Sequence, residues 1–254
     1  MQIEKSSKSI NLVLCLAGKG QRFIDKGYNT PKFLLKNSSD TETILELIIK
    51  NFYISKVKNF ILILNKNHKI WAAEIDQTIS KFKDCNFDIL FIDDTQGQAE
   101  TAFHGAMYIK ENASTNSLDP ISFHNGDTIL FKRNIASFLG DLENFADGAI
   151  DTFPASSSAY SYIKTSPSGW ISGIKEKKVI SNMATSGFYI FKDCKTFLSF
   201  YKETVFSNKE KYISDVYQTM LARNSRILNL YNKNKGDTLI LGTPDEYERW
   251  KKDG

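Results

Sequence analysis

Residues 11–16 (NLVLCL), 60–64 (FILIL), 87–92 (FDILFI) and 121–124 (ISFH) are apolar runs of strand length, and the segments between them repeat apolar residues at helical spacing. That alternation restricts the chain to a layered α/β architecture in which parallel strands are joined by helical crossovers. The clearest crossover is 43–53, with Ile44, Leu45, Ile48, Ile49 and Phe52 on one face; 68–83 and 97–111 read the same way. The four runs are expected to be buried on both faces, as in a parallel sheet.

Further strands are expected at 148–153, 159–163 and 187–191, where turn residues become denser and Pro167, Ser168 and Gly169 mark a hairpin. The expected fold is therefore a Rossmann-like three-layer α/β sandwich with a mixed, mainly parallel central sheet and a smaller antiparallel portion. No repeat, low-complexity tract or flexible linker interrupts the 254 residues. A single domain over 1–254 is expected, its two halves, 1–147 and 148–254, meeting near residue 148.

Composition removes several function classes. Three cysteines, Cys15, Cys85 and Cys194, are odd in number and lack C-x-x-C spacing, so neither a disulfide framework nor a zinc site is indicated. The formal charge of +4, from 33 basic and 29 acidic residues, is spread along the chain and favours small anionic ligands over nucleic acid, for which Lys175 to Lys178 is too short a basic stretch. The first ten residues lack an apolar segment ahead of a cleavage site, and no run reaches membrane-spanning length; a cytoplasmic protein with no membrane partner is expected.

The loop after the first run, Leu16-Ala17-Gly18-Lys19-Gly20-Gln21-Arg22-Phe23, leaves the strand at the carboxyl edge of the sheet, where open α/β sheets bind ligands. Gly18 and Gly20 allow backbone N–H groups to approach phosphates, and Lys19, Arg22 and Lys32 add positive charge. Phe23 stands where a dinucleotide fingerprint needs a third small residue. Phe23 and Ile24 stand where a Walker A loop needs Gly-Lys. Both alternatives are excluded by spacing, and with the first goes a dinucleotide-dependent oxidoreductase.

The string L-A-G-x-G-x-R-F followed by Pro31-Lys32 resembles the signature of the sugar-phosphate nucleotidyltransferases. Five later segments fall in that family's order. Residues 95–105 (TQGQAETAFHG) resemble its base-contacting loop, with Gly97 and Gln98 carried over; 124–130 (HNGDTIL) resemble its G-D segment, whose aspartate, here Asp127, holds Mg2+. Residues 174–191 resemble its E-K segment, which places Glu176 and Lys177 on the acceptor, and 241–250 (LGTPDEYERW) its G-T-P-E segment. Residues 211–221 (KYISDVYQTML) are similar to its acceptor-side helix.

The resemblance implies that Leu16, Ala17, Gly18, Lys19 and Gly20 wrap a triphosphate, that Arg22 and Lys32 stabilise charge during attack on the α-phosphorus, and that Mg2+, or Mn2+, sits on Asp127. Many members carry a second metal aspartate two residues before the last glycine. Here that position is Ile240, and Asp237 is the nearest upstream carboxylate, either supplying the missing ligand or leaving a site with one fewer. A phosphate acceptor needs no general base, and the three histidines fit no hydrolase pattern. His68 is expected at the surface, His104 to pack or cap on its helix, and His124 is left open between core and site. Most of the phenylalanines are read as core, and Trp71, Trp170 and Trp250 need no functional explanation.

The resemblance further implies CTP as donor and L-glutamine phosphate as acceptor, in capsule or surface-polysaccharide assembly. A sugar 1-phosphate is the main alternative acceptor and phosphocholine another. A homodimer is compatible with exposed helices on such a sheet. An alternative of another class is a nucleotide- or sugar-phosphate-sensing module without turnover, which Ile240 favours and Gly20, Arg22, Lys32 and Asp127 disfavour.

Overall fold

Alternating side chains of the first strand, β1 (Asn11–Leu16), supply two separate cores: Leu12, Leu14 and Leu16 join one apolar cluster and Val13 the other. The computed structural model describes residues 10–253 except 56, 113–115 and 136–138. After β1 come α1 (Gln21–Ile24), α2 (Ile44–Ile54), β2 (Asn59–Asn65), α3 (Ala72–Ile79), β3 (Asn86–Ile92), α4 (Gln98–Glu111), β4 (Ile121–Asn125) and β5 (Thr128–Leu130). The second half contains α5 (Leu139–Asn144), β6 (Gly148–Pro154), β7 (Tyr162–Thr165), β8 (Ile171–Lys175), β9 (Met183–Phe191), α6 (Cys194–Glu203), α7 (Ile213–Ala222), β10 (Ile227–Tyr231), β11 (Thr238–Ile240) and α8 (Pro244–Asp253).

The central sheet runs β10-β6-β9-β4-β1-β2-β3, and β7 and β8 extend it from β9. The pairs β1·β2, β2·β3, β1·β4 and β6·β10 are parallel, while β9 runs antiparallel to both β4 and β6. Helix α2 and Tyr247 of α8 cover the Leu12 face; α4, α6 and α7 cover the Val13 face. This is the mixed, mainly parallel three-layer α/β fold expected, with β7 and β8 as its antiparallel portion and β5·β11 as a separate two-stranded antiparallel sheet.

Chain order fixes where ligands go. From β1 the chain steps to β2 and β3 on one side and then returns to β4 on the other side of β1. The loops after β1 and β4 therefore diverge at their carboxyl ends, opening the crevice at which such sheets bind ligands.

Several local expectations change. β3 is half-buried, because it is the sheet edge. The segment 68–83 divides into a 3-10 turn, Lys66–Trp71, and α3; the Asn65 side chain accepts from Asn67 N (3.0 Å) and starts the turn. The 159–163 strand begins only at Tyr162, and the 187–191 strand begins at Met183. His68 is half-buried, edge-on to Phe33 at 5.2 Å, and His104 is exposed on α4. The three cysteines are free. Among the described residues no helix is long and apolar enough to cross a membrane.

His124 belongs to the core, not to the site. Its Nε2 donates to the Thr128 carbonyl at 2.7 Å, and its ring packs on Phe52 and Phe188 at 5.0 and 5.8 Å. Burial pushes its pKa from the usual 6.5 down to about 4. The unfolded chain thus takes up the proton first: the contribution is complete above pH 6.5 and is lost as pH falls toward 4, at a cost of about 3 kcal/mol. His124→Gln keeps a donor for Thr128 and removes this titration. Its unfolding free energy is expected to fall less than the wild type's between pH 7 and pH 4 in urea melts, and parallel losses in both proteins would refute the assignment.

Candidate active site

The loop leaving β1 is shaped by its glycines. Gly20 adopts a left-handed conformation (φ 67°) at the start of α1, and its carbonyl accepts from Phe23 N at 2.8 Å. The space where side chains on Gly18 and Gly20 would stand is open. Leu16 and Ala17 are buried and fix the loop to the sheet, while Gly18, Lys19 and Arg22 are exposed. Lys19 Nζ pairs with Asp94 Oδ2 at 2.7 Å, and Asp94 also accepts from Asn65 Nδ2 at 2.9 Å, so this lysine ties the loop to the ends of β2 and β3. Arg22 has no ionic partner among the described residues and is available to an anion.

The turn after β4 brings Asp127 to the same crevice. Gly126 brings the turn close over the end of β1: a Cβ at that position would lie 2.3 Å from Leu16 Cδ2 and would displace that methyl group. Lys32 arrives from the 3-10 turn Lys32–Leu34 that follows Pro31, and its Nζ lies 2.5 Å from Asp127 Oδ2. Thr128 Oγ1 donates to the other carboxylate oxygen at 3.2 Å. Burial raises the Asp127 pKa, and the charge and hydrogen bond of Lys32 more than offset that, holding the carboxyl below the usual range. Asp127 is thus an anion at neutral pH with a cation on it.

Gly97 precedes α4 and packs against the Lys211 backbone. Lys211 N donates to Gln96 O at 2.6 Å, and Ala99 N donates to Lys211 O at 3.0 Å, so the loop before α7 is joined to the loop before α4. Gln98 Nε2 donates to Asn125 Oδ1, which places two amide side chains beside the Asp127 turn. Asn125 escaped the sequence reading, although it stands next to Gly126-Asp127.

Glu176, at the end of the β7–β8 hairpin, accepts from Ser161 Oγ and from Ser214 Oγ (2.7 Å). Burial and the nearby Glu176 charge raise the pKa of Asp215, which lies in the first turn of α7. Lys177 turns the other way: its Nζ donates to the Tyr212 hydroxyl at 2.6 Å and lies 3.8 Å from Glu210. Glu176 and Lys177 therefore reach different neighbours.

Asp237 is not brought to Asp127. In the β5·β11 ladder Ile240 pairs with Thr128 beside Asp127, whereas Thr238 pairs with Leu130 at the far end. Asp237 lies beyond that far end, 3.5 Å from Lys132 Nζ. Ile240 packs on Phe153, Tyr162 and Ala184. The second carboxylate near Asp127 is Glu246: a Cβ on Gly242 would lie 3.4 Å from Asp127 Oδ2 and 3.7 Å from Glu246 Oε2.

Among the described residues no three His, Cys, Asp or Glu side chains are grouped to enclose a metal. One or two carboxylates are the donor set that suits Mg2+, which dehydrates reluctantly and takes substrate phosphates as further ligands. Asp127 fits that role.

Residues 11–252 match the family model described as nucleotidyl transferase. Among solved structures, the nucleoside-diphosphate-sugar pyrophosphorylase from Vibrio cholerae RC9 is similar with a TM-score of 0.83 and 22% identity, over 95% of this chain and 99% of that one. A UDP-glucose pyrophosphorylase complexed with UDP-glucose is similar with a TM-score of 0.77 and 18% identity, over 97% and 98% of the two chains. No curated protein sequence matches significantly. At these identities the structural likeness shows the fold, and the match over nearly the whole chain shows the family: this chain belongs to the nucleotidyl transferases.

Proposed function

We propose that the chain transfers CMP from CTP to the phosphate of L-glutamine phosphate, releasing pyrophosphate, as a step in capsule or surface-polysaccharide assembly. An acceptor phosphate oxygen attacks the α-phosphorus, a new P–O bond forms, and the bond to the bridging oxygen of the β-phosphate breaks. The acceptor is already a dianion, so no base removes a proton. Arg22 and the backbone N–H groups of the 17–20 loop bind the triphosphate. Lys32 sits between Asp127 and the loop and neutralises charge as it develops. Asp127 would hold Mg2+, which when bound supplies further charge neutralisation between the phosphates.

The observation that carries nucleotidyl transfer is the Lys32–Asp127 pair at the crevice between the β1 and β4 loops, beneath an open glycine turn. For the acceptor, the supporting observation is Glu176. Two serine hydroxyls hold its carboxylate, an anionic environment that favours an acceptor bringing an ammonium group. An amino-acid phosphate supplies one and a sugar 1-phosphate does not. The sugar reading remains the runner-up because the similar solved structures carry sugar pyrophosphorylase names.

Calorimetry of CTP, UTP, GTP, ATP and dTTP with Mg2+ present is expected to show selective CTP binding, and pyrophosphate release is expected with L-glutamine phosphate. Selectivity for UTP, GTP or dTTP with turnover of a sugar 1-phosphate would replace this reading. Nucleotide binding with no pyrophosphate release from any acceptor would favour a sensing module.

A further inference from the structure

We propose that Glu246 supplies the second protein carboxylate to the divalent cation held by Asp127. This rests on the nucleotidyl-transfer reading. The position that holds a second acidic ligand in many members is Ile240 here, a half-buried side chain that packs against Phe153, Tyr162 and Ala184 and offers a cation no oxygen. Asp237 stands at the wrong end of the β5·β11 ladder. Glu246 reaches the place from the first turn of α8. Both its Oε2 and Asp127 Oδ2 border the empty volume over Gly242, and Leu241 N donates to the Asp127 carbonyl at 2.7 Å, fixing one segment against the other.

Glu246 already has a structural task. Thr243 N and Thr243 Oγ1 both donate to its Oε2 at 2.9 Å, and Glu246 N lies 3.3 Å from Thr243 Oγ1, a capping box with Pro244 in the first helical position. The two cap bonds use the same oxygen. Oε1 has no hydrogen-bond partner among the described residues and remains available for a cation.

The cap makes the two roles separable, because glutamine serves at this position of a capping box as glutamate does. The test titrates Mn2+ into the whole protein with CTP, and separately with UTP and dTTP, following the free Mn2+ paramagnetic resonance signal. Glu246→Gln is expected to keep the wild-type melting temperature and to weaken Mn2+ binding at least about tenfold, the loss that even an outer-sphere partner of a metal brings. Asp237→Asn is expected to change nothing. Unchanged Mn2+ affinity in Glu246→Gln, with binding lost in Asp127→Asn, would overturn the proposal and leave the family chemistry standing. Weakening in Asp237→Asn alone would overturn it in favour of Asp237. If Asp127→Asn also left Mn2+ binding unchanged, both the proposal and the metal role of Asp127 would fall.

Discussion

Asp127→Asn is expected to abolish pyrophosphate release while the protein still folds. The substitution keeps the side chain's shape and an acceptor oxygen for Thr128 Oγ1, which now lies 3.2 Å from the carboxylate. It removes the negative charge that meets Lys32 at 2.5 Å, and with it the anionic donor that binds Mg2+ more strongly than a neutral amide oxygen. A metal ion contributes several kcal/mol of transition-state stabilisation, so turnover is expected to fall on the order of a thousandfold or more. The folding cost is smaller. Lys32 retains 24% side-chain exposure and can be solvated when its partner goes, so the loss should be about 1–3 kcal/mol, the range for a charged hydrogen bond. Turnover and thermal melting measured on one preparation separate the two effects. Near-normal turnover would remove Asp127 from the site, whereas an unfolded variant would show that the pair with Lys32 is structural.

The parts legible in the sequence were those in which residue type and local geometry coincide. β1, β2 and β4 are buried runs because helices cover both faces of the sheet there, and the two glycines that follow β1 form the turn leading from Leu16 into α1. β9 shows where local reading fails. Gly187 looks like a strand start, but it lies inside the strand, at a register shift where Ile150 pairs with Tyr189 and Thr152 with Thr185. Its positive φ of 86° makes the bulge, and Asn125 packs directly over it, so the irregularity sits beside the active site. Asp237 failed for a related reason: nearness along the chain says nothing about which end of a ladder faces the site. Glu246 lies in 241–250, matched to the family's G-T-P-E segment with no role for its side chain, and only the structure shows it capping α8 through Thr243 and lying near Asp127.

The second large effect is expected far from the chemistry. Arg133 and Asp151 form a buried bidentate pair, Nε to Oδ2 at 2.8 Å and Nη2 to Oδ1 at 3.0 Å, with side-chain exposures of 9% and 3%. The remaining donors of Arg133 reach the carbonyls of Phe131 and Asp237, both at 2.9 Å, and Thr238 Oγ1 at 2.7 Å. One guanidinium thus satisfies all its N–H groups while joining β6 to both strands of the β5·β11 ladder. Arg133→Met leaves the Asp151 carboxylate buried without its counter-charge, where burial already pushes its pKa up against the pull of Arg133. The expected cost is about 3–5 kcal/mol, which in a chain of this size lowers the melting temperature by roughly 6–20 °C. The double variant Arg133→Met with Asp151→Leu is expected to recover most of that loss, because no isolated charge remains. A single variant melting within about 2 °C of wild type would show that water reaches Asp151 at little cost. Since Asp127 stands at the other end of the same ladder, loss of this pair is also expected to lower turnover in the fraction that remains folded.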